Sequence, residues 1–300
     1  MTRRGLALFA AMCVIWGVPY LLIRVAVEEI SPAVLVLGRT GIAVLLLLPI
    51  AAARAEIRPA LRHWRAVLAF AAIEIALPWL LLGDAEQEIS SSLAALLIAG
   101  VPLIGAVIAR TTGGRERLGP ANLAGLLVGL AGVAAIVGVN LESAGVVPIA
   151  EVGLVAVCYA VGPVILQRWL TDVPALGVIA VSLAATAVVY LPIAAFTWPD
   201  EVPSAKAIWS VVGLAVVCTA LAFLLFFALI AEIGPVRATV ITYINPAVAA
   251  VLGVLVLDEH FTLGMGVGFA LVLVGSILAT RPGRARPEKP SGYPPTAGVP

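Results

Sequence analysis

Apolar residues run in blocks of about twenty along nearly the whole chain, broken by short charged or Pro/Gly-bearing stretches. A block of that length crosses the hydrocarbon core of a bilayer as a helix. Ten blocks can be marked, at 5–25, 33–53, 64–83, 89–110, 119–139, 148–167, 174–196, 207–230, 235–257 and 263–280. The pattern predicts an all-α membrane protein with ten transmembrane helices. From Arg281 onward the chain is rich in Pro, Gly, Arg and Lys, which predicts a disordered tail over 281–300.

Composition strengthens this reading. The 300 residues are 62% hydrophobic and 12% charged. Soluble domains average about 45–50% and about 25%. A net charge of +1 carries little information, but the placement of the charges carries a great deal. With the N-terminus set inside, the cytoplasmic loops and tail hold Arg3, Arg4, Arg54, Arg58, Arg62, Arg65, Arg110, Arg115, Arg117, Arg168, Arg237, Arg281, Arg284, Arg286 and Lys289. Those are 15 of the 18 basic residues; Lys206 alone falls in an outer loop, and Arg24 and Arg39 lie within spans. Acids show the opposite bias, with Glu28, Glu29, Asp84, Glu86, Glu88, Glu142, Asp200, Glu201, Asp258 and Glu259 outside. The positive-inside rule therefore predicts a multi-pass plasma-membrane protein with both termini cytoplasmic.

The two halves of the chain echo each other. Trp16 and Tyr159, Pro49 and Pro192, Gly125 and Gly268, Gly132 and Gly275, and Glu116 and Glu259 are each 143 residues apart. Glu88 and Glu232, and Pro102 and Pro246, are 144 apart, which places a one-residue insertion in the "ARTTGGRERLG" loop. Each half then carries five spans. Five is odd, so the second copy is threaded upside down relative to the first. This predicts two inverted five-helix repeats, 5–140 and 148–280, a construction that recurs in secondary transporters with the site at the repeat interface.

These stretches also resemble a known family. "WGVPYLLIR" and "LGRTGIAVLLLLP" resemble the opening of an EamA-type repeat. "SSLAALLIAGVPLIGAVIA" with "RERLGPANLAGLLVGLAGV" resembles its close, and "ATVITYINPAVAAVLGVLVLDEHFTLGMGVGFALVLVGSILA" the same close in the second half. The resemblance runs over residues 5 to 280, with the ordered, duplicated set more telling than any one motif. It implies membership of the drug/metabolite transporter superfamily, ten helices about a central cavity, and peripheral fifth and tenth spans. It does not imply a substrate. The second opening carries Tyr159 and Gln167 where the first has Trp16 and Arg24, which argues against a strictly two-fold site.

Intramembrane polar residues are the candidates for chemistry. Glu74 sits midway through the third span, in "FAAIEIALPWLLLG". An acidic residue at the bilayer centre costs roughly 2.5–3.5 kcal/mol to insert. Glu74 is thus expected to be protonated, to pair with a cation, or to face water. Arg39, in "VLGRTGIAV", must pair, snorkel or line water, and its counterpart in the second half is Ser182. Trp16, Tyr20, Trp79 and Tyr159 are read either as interfacial anchors or as walls of a substrate site. Pro78 is expected to bend the third span beside Glu74, and Pro102 and Pro246 to break spans four and nine at matched points. Tyr243 and Asn245 would add a hydroxyl and an amide beside the second break. The expected substrate-binding or coupling set is therefore Glu74, Trp16, Tyr20, Arg39, Trp79, Tyr159, Tyr243 and Asn245. Glu116 and Glu259 precede spans and read as acids at the start of their own helices. Gly125, Gly129 and Gly132, with Gly264, Gly268 and Gly275, suggest close helix packing within one chain or across a homodimer.

Several classes are disfavoured. Cys13, Cys158 and Cys218 lie in apolar runs without C-x-x-C spacing, and His63 and His260 stand alone, so no metal site or cofactor is expected. No phosphate-binding Gly-rich loop ending in Lys, H-E-x-x-H or G-x-S-x-G occurs, and no soluble domain suggests nucleic-acid binding. The leading expectation is a secondary active transporter, exporting a small metabolite, amino acid or drug-like solute by alternating access, with proton coupling as one option. A non-transporting structural or sensory membrane protein, or an intramembrane enzyme, remains the alternative.

Overall fold

The structure, a computed structural model, describes residues 2–111 and 120–280. Glu116, the expected insertion and the tail from Arg281 lie outside the described residues. The described chain is helical throughout. Eight helices are long and apolar enough to cross a membrane: α1 (Arg3–Ala26), α2 (Pro32–Ala53), α3 (Trp64–Glu88), α4 (Ser91–Ile108), α5 (Pro120–Glu142), α6 (Val146–Trp169), α7 (Ala175–Phe196) and α8 (Ala205–Ile233). Two shorter apolar helices follow, α9 (Ile241–Leu257) and α10 (Leu263–Ala279).

Capping residues set the helix ends. Ser31, Ser90, Ser204 and Thr262 each accept a backbone N–H of the first turn of α2, α4, α8 and α10. Asp258 ends α9 in the left-handed region, at φ 54°. Gly234 and Gly145 take φ of 83° and 77°, a backbone that costs glycine little. α9 starts late because a four-residue helix, Pro235–Ala238, and a turn at 239–240 precede it.

Interior breaks differ from those the sequence suggests. α1 is interrupted at Trp16–Gly17. α4 turns at Ala99–Gly100, with Pro102 just inside the next segment, where its missing N–H costs least. α9 continues straight through Pro246, so the interruption of that span lies upstream, at Thr239–Val240. In α3 the expected bend takes the form of a π-helical turn over Ala71–Ala76, closed by Leu77 N–H donating to Ala72 O directly before Pro78. α8 contains a second π-helical turn, Val216–Leu221.

Helix pairing follows a simple pattern. α2 packs on α7, α4 on α9 and α5 on α10; α1 packs on α8 and α3 on α6. The α5–α10 contact is the tightest. A Cβ on Gly125 would sit 2.5 Å from Ala279 N, one on Gly132 2.6 Å from Gly268 O, and one on Gly275 against the backbone of Gly129. The two glycine ladders therefore meet each other inside one chain, antiparallel, and Asn122 donates to the carbonyls of Leu278 and Ala279 at the end of α10. Leu127 and Leu130 on α5 and Leu263 on α10 are more than half exposed, as are Val188 and Leu191 on α7, a surface suited to lipid.

Carboxylates stitch the two halves together at helix starts. Glu29 accepts from Ser204 N and Oγ, both at 2.6 Å, at the start of α8. Glu56 accepts from Gly177 N in the first turn of α7 at 3.1 Å. Glu259 accepts from Ser91 N at 2.8 Å and from Ser92 N at 2.9 Å, at the start of α4. Glu259 thus serves the N-terminus of a helix in the opposite half, not that of its own span. Orphan N–H groups and the helix dipole favour an acid at each of these ends.

Candidate functional site

The polar groups of the interior converge where α2, α3, α6 and α8 meet. Arg39, 7% exposed, leaves α2 and donates through Nε to Thr219 Oγ1 at 2.9 Å. Thr219 lies in the π-helical turn of α8, and its hydroxyl donates a hydrogen bond to Leu214 O at 2.8 Å. The guanidinium also lies over the Trp79 ring, 3.5 Å from its centroid. A cation over an indole is held by about 0.5–2 kcal/mol or more, rising with desolvation. Arg39 is therefore anchored by a hydroxyl and an aromatic face.

Tyr159 on α6 lies beside Trp79 and within electrostatic reach of both Arg39 and Glu74. Tyr20 on α1 is buried and lies near Arg39, Tyr159 and Glu86. Glu74 occupies the π-helical turn of α3. Its carboxylate is turned toward α6, where Oε2 fills the space beside Gly162 that a Cβ would need. That oxygen is buried and has no hydrogen-bond partner among the described residues. Buried polar atoms are nearly always paired, so an unpaired one calls for a physical reason. Ala76 O, two residues before Pro78, accepts from the Tyr190 hydroxyl at 2.9 Å, so part of the loosened backbone is satisfied by α7.

Five of the eight sequence-predicted residues thus come together: Glu74, Arg39, Trp79, Tyr159 and Tyr20. The other three sit elsewhere. Trp16 packs on Phe226 at 4.7 Å and Phe223 at 6.2 Å, between α1 and α8. Asn245, with its amide oriented to suit its neighbours, donates to Ile241 O at 2.9 Å and Cys13 O at 3.1 Å, which ties α9 to α1. The Tyr243 hydroxyl meets Thr280 Oγ1 at 3.3 Å, at the far end of α10. Two surface recesses have linings that do not include Glu74. One of about 800 Å³ is framed by Arg62, Trp64, Arg65, Arg168 and Trp169, and an apolar one of about 280 Å³ lies between Val34, Gly38, Trp198 and Val211.

Three participants were not singled out from the sequence. Thr219 is the one hydroxyl in the run from Leu214 to Ala231, and that isolation was a usable signal. Gly162 looked like any helix glycine. Glu86 lies beyond the third apolar block, which ends at 83, and so falls among the outer acids in the sequence; instead α3 continues to Glu88 and buries Glu86 completely. Both of its carboxylate oxygens lack hydrogen-bond partners among the described residues, and Arg24 Nη1 donates to its backbone carbonyl at 2.7 Å. Among the described residues no group of three or more His, Cys, Asp or Glu could hold a metal ion.

Known proteins match over most of this architecture. The model of the EamA-like transporter family matches twice, at residues 3–138 and 151–281. The chain is 29% identical over 288 residues to the uncharacterized inner membrane transporter YedA of Escherichia coli strain K12, covering 91% of this chain and 92% of that protein. The YedA proteins of strains O6:H1 and O157:H7 match equally. A crystal structure described only as that of a protein shares the fold, with a TM-score of 0.66 and 22% identity, covering 92% of this chain and 96% of that one. A multi-pass apolar helical body with a polar centre is what a transporter of small solutes requires. Matched by the family model along nearly its whole length, the chain belongs to the EamA-like transporter family.

Proposed function

We propose that the protein is a secondary active transporter that exports a small organic solute by alternating access, with both termini in the cytoplasm and Glu74 as its coupling or ligand-binding carboxylate. The observation that carries the proposal is the unpaired Glu74 Oε2, buried between α3 and α6 beside Tyr159. Such a group is costly in hydrocarbon, and among the described residues neither a protein donor nor a metal ligand set accounts for it.

Supporting the inverted-repeat reading, the helix contacts exchange under interchange of halves. α1 on α8 corresponds to α6 on α3, while α2–α7, α4–α9 and α5–α10 map onto themselves. The ties between halves lie at both ends of the bundle. Glu29–Ser204 and Glu259 with Ser91 and Ser92 close one end, and Glu56–Gly177 and Thr2–Glu232 close the other. Rocking of the halves would break one set while keeping the other. In this reading a conformation with both sets formed is an occluded one.

The test uses purified protein in liposomes under an imposed pH gradient, with solute efflux or exchange as readout. Glu74→Gln is expected to fold and insert normally and to lose gradient-driven flux. Flux with an unchanged pH dependence in the variant contradicts the coupling role.

A further inference from the structure

The larger surface recess lies at one end of the seam between α3 and α6, where a helix of the first half meets one of the second. Arg62 comes from the last turn of the short helix Ile57–Arg62, Arg65 from the start of α3 and Arg168 from the last turn of α6. Trp64 opens α3 and Trp169 closes α6, and both rings are more than half exposed. Ala66 and Ala69 are small, which leaves about 800 Å³ between these side chains. No carboxylate lines that space. Glu56 and Asp172, the acids nearest along the chain, lie off its walls, and Glu56 is engaged by Gly177 N. Among the described residues none of the three guanidiniums has an ion-pair partner. Arg65 has the face of Trp64, 5.3 Å from the ring centroid. Like charges gathered without a counter-charge repel one another, and an anion that joins them relieves the repulsion.

We infer that this partner is an anionic phospholipid, its phosphate held by Arg62, Arg65 and Arg168 and its headgroup framed by Trp64 and Trp169. Position decides for a lipid over a soluble anion. The recess sits where one apolar span begins and another ends, which is the depth of the headgroups and the depth that exposed tryptophans favour. Leu61 and Leu68, both exposed, give acyl chains an apolar surface beside it, for which a soluble anion has no use. Basic pockets between transmembrane helices are suited to phosphate headgroups, and a guanidinium fork matches two phosphate oxygens at once. A zwitterionic headgroup brings its own ammonium, which the arginines repel, so net headgroup charge is the deciding property. The three arginines come from both halves, and the bound lipid therefore bridges the α3–α6 seam. The inference rests on the membrane-spanning fold and is independent of the transport cycle and of Glu74.

Three probes separate the lipid from its parts: dioleoylphosphatidylglycerol, dioleoylphosphatidylcholine and glycerol 1-phosphate. The first shares its acyl chains with the second and its charged group with the third. Thermal shifts are measured on the purified full chain in a neutral detergent. Phosphatidylglycerol is expected to raise the melting temperature, less so as salt is added, and the other two to leave it unchanged. Replacing Arg62, Arg65 and Arg168 together by Gln is expected to weaken phosphatidylglycerol binding about tenfold or more. Replacing Arg4, Arg54 and Arg58 by Gln removes as much charge from outside the recess and is expected to leave binding unchanged. All six arginines are exposed, so both triple variants are expected to fold. Ala69→Phe keeps every charge but fills the space, and is expected to weaken binding as well. Where Ala69→Phe fails to fold, the two triple variants still decide. The inference is overturned by an equal shift with phosphatidylcholine, by an equal shift with glycerol 1-phosphate, or by equal losses in the two triple variants. Undiminished binding in the recess triple variant or in folded Ala69→Phe overturns it too.

Discussion

Glu74 shows how far a single residue can be understood before its surroundings are known. Its position inside an apolar run marked it as costly in lipid, and the structure places it among five convergent side chains with one oxygen unpaired. The place of that oxygen was not legible, because it depends on Gly162, which looks like an ordinary small residue in "AVGPV". Asn245 and Tyr243 show how much depends on the course of the helix around them. Both sit beside Pro246 and were read as lining a break, yet α9 does not break there and both side chains satisfy backbone or hydroxyl groups near by. Outside the membrane, Glu29 makes a residue-level prediction possible. Hydrogen bonds from Ser204 hold its carboxyl below the ordinary value of 4.5. A group with a lowered folded pKa stabilises the fold above its unfolded pKa and stops doing so as pH falls through the folded value. The melting temperature of the wild type should therefore exceed that of Glu29→Ala at neutral pH. The gap should shrink on acidification below about pH 4. A gap that widens on acidification contradicts this reading.

At the level of helices, residue spacing predicted existence and approximate limits well, because twenty apolar residues in lipid have few alternatives to a helix. Breaks were less legible. Both π-helical turns, the Trp16–Gly17 interruption and the turn at Ala99–Gly100 depend on how neighbouring helices satisfy loosened backbone, which no local pattern records. The glycine ladders allow a sharp test. Gly275→Val drives a branched side chain into the backbone of α5 and should destabilise by at least about 1–3 kcal/mol. Gly105→Ala, where an added Cβ meets nothing, should be neutral or stabilise by up to about 1 kcal/mol. Equal effects of the two substitutions on detergent-solubilised melting would contradict the packing described for α5 and α10. The cap that Glu259 provides to α4 is a second case. Glu259→Ala should cost about 1 kcal/mol, the usual consequence of losing a helix cap, whereas Glu88→Ala on the exposed end of α3 should cost little. A thermal denaturation series on both variants checks the contrast.

For the whole molecule, the proposed inversion follows from an odd number of spans per half, which would turn a duplicated chain into two bodies facing opposite ways. The contacts at the two ends of the bundle fit that threading. Glu29, Glu259 and Ser31 meet partners at one end, and Thr2, Glu56 and Asn122 meet theirs at the other. Positive charge supplies the direction, since arginines crowd the ends assigned to the cytoplasm. The most direct measurement is impermeant thiol labelling of single cysteines placed at Val146, the first residue of α6, and at Arg284, beyond α10, in intact and permeabilised cells. The native Cys13, Cys158 and Cys218 are buried, so they should give little background. Val146→Cys should label in intact cells and Arg284→Cys only after permeabilisation. Labelling of both positions from one side would mean that the halves are not inverted, and Glu74 would lose the interface on which its role depends.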